Sequence, residues 1–125
     1  MFIIKPITQK EKRRCQVTRP IDQLEATIAA RKSAGEADSS YTAKLLASGV
    51  EKIGAKVIEE AAEVVEAAGE SGDTGRQHTI AEAGDVIYHL LVLMAARDIS
   101  LDDLERELAR RFGMSGLEEK ASRKN

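Results

Sequence analysis

The apolar residues of this chain recur with a helical period, and no stretch alternates in the manner of a strand. Ile21, Leu24 and Ile28 open the pattern at i, i+3 and i+7. Ser33 to Ser40 is small and polar and reads as a loop, with Ser39 or Ser40 placed to cap a short helix from Tyr41 to about Ser48. Gly49 kinks or ends that helix. A long helix is expected next, from about Glu51 to Ala68. At about 100° per residue, Ile53, Val57, Ile58, Ala61, Val64, Val65 and Ala68 share an arc of roughly 140°, so the helix is amphipathic. Gly69 to Gly75 reads as a turn. The second long helix, from about Arg76 to Ala96, is apolar almost all round: Val86, Ile87, Leu90, Leu91, Val92, Leu93 and Met94 point in every direction. Such a helix belongs at the centre of a bundle. Ser100, with Asp103 three residues on, predicts a capping box for a last helix striped by Leu101, Leu104 and Leu108 and closed by Gly113. Met114–Asn125 is a polar tail.

The expected architecture is therefore all-α: a small bundle of about five helices around two long antiparallel ones, in one domain over residues 20–122. With only two Pro and abundant Ala, Leu, Glu, Lys and Arg, composition also favours helix. A chain of 125 residues buries only a modest core, so a homodimer is expected to complete it.

The formal charge of −2 is unevenly placed. Residues 1–19 carry Lys5, Lys10, Lys12, Arg13, Arg14 and Arg19 against Glu11, and read as a mobile basic extension. A solvated arm accounts for that run without nucleic acid or membrane as partner. Cys15 is the only cysteine, which suits a reducing cytoplasm and excludes an internal disulfide. Phe2-Ile3-Ile4 is too short for a signal-peptide core, and no run is expected to approach membrane-spanning length.

The chemistry lies on the two long helices. Glu82, Asp85 and His89 form a polar stripe within roughly 60° on the otherwise apolar second helix. Burying two carboxylates without partners costs several kcal/mol, so a cation, a basic group or solvent must compensate. Glu60 and Glu63 share a face of the first long helix, and Glu60 borders its apolar arc. No Lys or Arg lies between Glu59 and Glu70 to neutralise them. An antiparallel hairpin would bring both acidic sets together. Four carboxylates without Cys make a hard oxygen-donor site, which selects Mg²⁺, Mn²⁺ or Ca²⁺ over Zn²⁺. The competing explanation for Glu59, Glu63, Glu66 and Glu70 is a solvated helix face; the Glu82/Asp85 pair on an apolar helix weighs against it. Lys52 and Lys56 lie on the acidic side and could hold phosphates, or Lys56 could simply pair with Glu60 at i+4. Asp73-Thr74-Gly75 matches an aspartic-protease tripeptide only by chance, and His78 and His89 lack zinc-ligand spacing.

The spacing Glu59-Glu60-x-x-Glu63, then Glu82-x-x-Asp85, resembles the EExxE…ExxD signature of the MazG-type all-α nucleotide pyrophosphohydrolases. Four longer stretches, Asp38–Leu46, Lys56–Glu63, Glu82–Leu93 and Arg110–Ser122, are similar to the phosphoribosyl-ATP pyrophosphatase family of histidine biosynthesis. The resemblance implies Mg²⁺ as cofactor, with Glu60, Glu63, Glu82 and Asp85 as ligands and Glu59 as a further ligand or water-activating base. It implies phosphate or substrate contacts at Lys44, Lys52, Lys56 and Lys120, support or substrate contact at Tyr88 and His89, and a tail with Ser115 and Gly116 ordering over the substrate. It also implies a homodimeric cytoplasmic enzyme that hydrolyses phosphoribosyl-ATP to phosphoribosyl-AMP and pyrophosphate. Gly84 stands where the family commonly has Ala, which suggests tight packing there, and residues 1–19 lie outside the likeness. The rival expectations are a house-cleaning hydrolase of free nucleoside triphosphates and a non-catalytic helical dimerisation module.

Overall fold

A computed structural model of the chain describes residues 19–35 and 40–113. The expectations for the basic arm, Cys15, Lys120 and the Ser115–Gly116 tail lie outside these residues. Within them the chain is all-α: α1 (Pro20–Ala34), α2 (Tyr41–Ser48), α3 (Val50–Ala68), α4 (Gly72–Ala96) and α5 (Leu101–Phe112).

The local signals act as their chemistry requires. Pro20 stands at the start of α1, where its missing N–H costs nothing. Ser40 Oγ accepts from Ala43 N at 3.0 Å, capping α2. Ser100 and Asp103 form the reciprocal capping box of α5. Gly49, at φ 93, is at once the end of α2 and the entry to α3, a conformation only glycine adopts cheaply.

One boundary differs from the sequence pattern. The second long helix begins at Gly72, not near Arg76, and the turn shrinks to Gly69–Ser71. Gly72 takes φ 75 and absorbs the reversal in a single residue. Gly75 then passes so close to the preceding chain that a Cβ would lie 2.3 Å from the Glu70 carbonyl oxygen. The Gly-rich stretch that reads as loop is thus a tight turn followed by a helix start. Gly75→Ala is expected to destabilise the fold by about 1–3 kcal/mol, measured by urea denaturation, because backbone must move to admit the methyl group. Gly84 behaves in the opposite way. Nothing lies within 4 Å of a Cβ there, so the expectation of tight packing fails.

The core gathers Ile28, Leu45, Ile53, Tyr88, Leu91, Val92 and Leu101, one or more from each helix. The helix α4 packs against α1, α2 and α3, as a central helix should. By length and mean hydropathy alone, 1.4 over its most apolar window, it could cross a membrane. That departs from the sequence expectation. Its buried Asp85, Tyr88 and His89 and its packing on three other helices are the features of a core helix. It is not covered all round, since Ile80 and Ile87 are exposed. The arc of α3 divides likewise: Ile53 is fully buried against the core, while Ile58 and Val65 are each 74% exposed.

Candidate active site

Only a three-residue turn joins α3 to α4, so the helices lie antiparallel, and their packing brings the polar stripes together. Glu60 approaches Glu63, Glu82 and Asp85, and Glu70 approaches His78 near the turn. Carboxylate oxygens of Glu60, Glu82 and Asp85 lie within 4.8 Å of one another. A second group, Glu59, Glu60 and Glu63, meets the same measure and shares Glu60 with the first. The structure therefore brings together all five acids singled out in the sequence. Asp85 is only 6% exposed.

Two oxygens at this junction stand out. Glu60 Oε2 and Glu82 Oε2 are both buried and have no hydrogen-bond partner. Burial, and then the neighbouring charges of Glu63, Asp85 and Glu82, push the Glu60 carboxyl up from 4.5 to about 7. Burial, with Glu63 and Asp85, also raises Glu82. A cluster of acids that repel one another, with orphaned oxygens at the centre, is what a divalent cation relieves. The donors are all carboxylate, which suits a hard cation such as Mg²⁺, Mn²⁺ or Ca²⁺.

His78 adds a contact that sequence reasoning set aside. Its Nδ1 lies 3.0 Å from each Glu70 oxygen and its Nε2 lies 3.3 Å from Glu82 Oε1. Its partners, Glu70 first, raise its pKa. The i, i+4 spacing to Glu82 was the available signal; the bond to Glu70 needs the turn. His78 thereby holds one oxygen of Glu82, while the other is buried without a partner.

A groove of about 390 Å³ opens beside the acids between α2 and α3. Tyr41, Lys44, Leu45, Lys52, Lys56 and Glu59 line it. The three lysines expected to meet phosphate thus converge from two helices. Lys56 pairs with Glu59 at 3.3 Å, not with Glu60 as its i+4 spacing suggests. That pair is half exposed and contributes little to stability.

His89 does not reach this groove. It is 3% exposed, with Nδ1 2.8 Å from the Asp85 carbonyl oxygen. A carbonyl only accepts, so Nδ1 carries the proton and Nε2 accepts from the Tyr41 hydroxyl at 3.2 Å. Buried His89 thus holds the hydroxyl of Tyr41, a groove-lining residue the sequence did not single out. Tyr88 is likewise structural: it is 1% exposed and bonded through its hydroxyl to Thr42 Oγ1 at 2.5 Å.

An all-α hairpin carrying five acids beside a lysine-lined groove suits one class of protein: helical hydrolases that set a divalent cation against a polyphosphate. Comparison with known proteins narrows the class. Residues 21–112 match the family described as Phosphoribosyl-ATP pyrophosphohydrolase. The chain is 56% identical over 104 residues to a protein of Rhodopirellula baltica named phosphoribosyl-ATP pyrophosphatase, covering 83% of this chain and 86% of that one. Proteins of the same name from Paracoccus denitrificans (55% over 105 residues; 83% and 93% covered) and Dinoroseobacter shibae (57% over 102 residues; 81% and 95% covered) are similar to it too. The chain belongs to the phosphoribosyl-ATP pyrophosphohydrolase family, a family of hydrolases.

Proposed function

We propose that this protein hydrolyses phosphoribosyl-ATP to phosphoribosyl-AMP and pyrophosphate in a Mg²⁺-dependent reaction, the second step of histidine biosynthesis, as a cytoplasmic homodimer that needs neither nucleic acid nor membrane. The observation that carries the reading is the pair of buried, unpartnered oxygens on Glu60 and Glu82, two acids whose carboxylates cluster with Asp85 at the α3–α4 hairpin. Glu60, Glu63, Glu82 and Asp85 would hold Mg²⁺, and Glu59 stands beside them as a further ligand or as the base that takes a proton from water. Bound there, Mg²⁺ would neutralise the triphosphate and lower the pKa of a water.

The chain's own residues do the rest. Water adds to the α-phosphorus, the α–β anhydride bond breaks, and pyrophosphate leaves with the bridging oxygen. Lys56, one turn before Glu60, is placed to offset charge on the leaving group. The catalytic task is positioning and charge, which rigid helices serve well. Dimerisation would cover the exposed strip of Ile58 and Val65 on α3.

Pyrophosphate release from phosphoribosyl-ATP, dCTP and ATP, each with and without Mg²⁺, tests the reading. Strong preference for phosphoribosyl-ATP, dependent on Mg²⁺, is expected. Equal turnover of dCTP would favour the house-cleaning reaction, and no metal-dependent turnover of any of the three would sink both enzyme readings.

A further inference from the structure

The proposed substrate has two anionic ends on one purine. One is the triphosphate that is cleaved; the other is the phosphate monoester of the added ribose. The carboxylate cluster can serve only the first, since it needs a cation between itself and an anion. The second needs positive charge of its own, some distance away.

The groove between α2 and α3 offers that charge. It begins at Glu59, beside the carboxylates, and runs back along α3 to Lys52, seven residues or about 10 Å away at the rise of a helix. Lys56, at the near end, pairs with Glu59 and lies at the triphosphate end. Lys44 and Lys52, at the far end, make no ion pair among the described residues. They come from different helices and face one cavity, unlike lysines spread along a solvated surface. A phosphate between them would gain charge-assisted hydrogen bonds from both sides.

Tyr41 stands in the same groove. It is 47% exposed, yet its hydroxyl is held by buried His89, which is bonded in turn to the backbone of Asp85. The ring is thus an exposed aromatic surface fixed relative to an acid of the cluster. Leu45 and Ala55 supply apolar lining. A volume of about 390 Å³ lies within the range of small-ligand sites.

We infer that Lys44 and Lys52 bind the phosphoribosyl phosphate of the substrate while Tyr41 packs on its purine, so that this groove distinguishes phosphoribosyl-ATP from ATP. The inference rests on the substrate proposed above. Lys44→Gln/Lys52→Gln, checked for an unchanged circular dichroism spectrum, is compared with the parent by calorimetric binding of phosphoribosyl-AMP and of AMP, and by steady-state kinetics. The parent is expected to bind phosphoribosyl-AMP at least about tenfold more tightly than AMP. The double variant is expected to lose that advantage, with KM for phosphoribosyl-ATP up about tenfold and kcat within about twofold. Tyr41→Leu should weaken both nucleotides alike, because both carry the purine.

Two results overturn the inference: equal weakening of both nucleotides by the lysine changes, or no weakening of either. Tyr41→Leu binding both nucleotides as the parent does would remove Tyr41 from it. If the parent releases no pyrophosphate from phosphoribosyl-ATP, the proposed reaction falls, and the binding comparison still decides the groove.

Discussion

Glu60→Gln is expected to lower kcat/KM on phosphoribosyl-ATP by a factor on the order of 10³ and, in metal-free buffer at pH 8, to raise the melting temperature. The two effects have one cause. Glu60 belongs to both groups of acids and faces Glu63, Glu82 and Asp85. In the enzyme its negative charge is needed to hold the cation. In the metal-free protein the same charge is desolvated and repelled, which is why its pKa rises to about 7. An amide of the same shape removes the repulsion together with the metal ligand. Asp85→Asn, at a residue 6% exposed, should abolish turnover to a similar degree. Pyrophosphate release and thermal melting on the same preparations check both halves. Full activity in both variants would end the metal-site assignment. A non-catalytic dimerisation module predicts no activity to lose.

The second large effect is the response of stability to pH and Mg²⁺. The folded pKa of Glu60, about 7, lies above its ordinary value of 4.5. Ionising Glu60 therefore opposes folding. Its favourable contribution is complete below about pH 4.5 and is lost as pH rises through about 7. Glu82 is raised as well and adds in the same direction. Metal-free protein should accordingly melt at progressively lower temperature across that window. Mg²⁺ binds the ionised native site, so it should flatten the decline. At a hundredfold excess over its dissociation constant it adds about 2.7 kcal/mol, on the order of 10 °C for a domain of this size. Scanning calorimetry at pH 5 and pH 8, with and without Mg²⁺, reads the whole pattern. Identical melting at pH 8 in both buffers would contradict it.

Much of the site was legible in the sequence because helices convert spacing into direction. Glu60 and Glu63, and Glu82 and Asp85, are three apart, and each pair must share a face whatever surrounds it. A short turn then makes the two helices antiparallel, and packing turns the two faces together. Contacts that cross the chain were not legible. Tyr41 and His89 are 48 residues apart, and only the packing of α2 on α4 joins them. His78 could be seen beside Glu82, but its bond to Glu70 depends on Gly72 reversing the chain in one residue. Lys56 had acids at both i+3 and i+4, and spacing alone does not choose between them; the structure selects Glu59.

The sequence by itself determined the five helices, the Ser40 and Ser100 caps, the all-α class and the membership of the acidic set. Each of these depends on local propensity or on a period of 3.6 residues, which any neighbours leave intact. The tertiary structure decided which of those features face each other. It left Ile58 and Val65 of the α3 arc exposed, because one neighbouring helix covers only part of a wide stripe. It buried His89 and set Tyr41 in the groove, because bundle packing, not periodicity, determines which side of α2 meets α4. It also buried two carboxylate oxygens without a hydrogen-bond donor, where two helices meet.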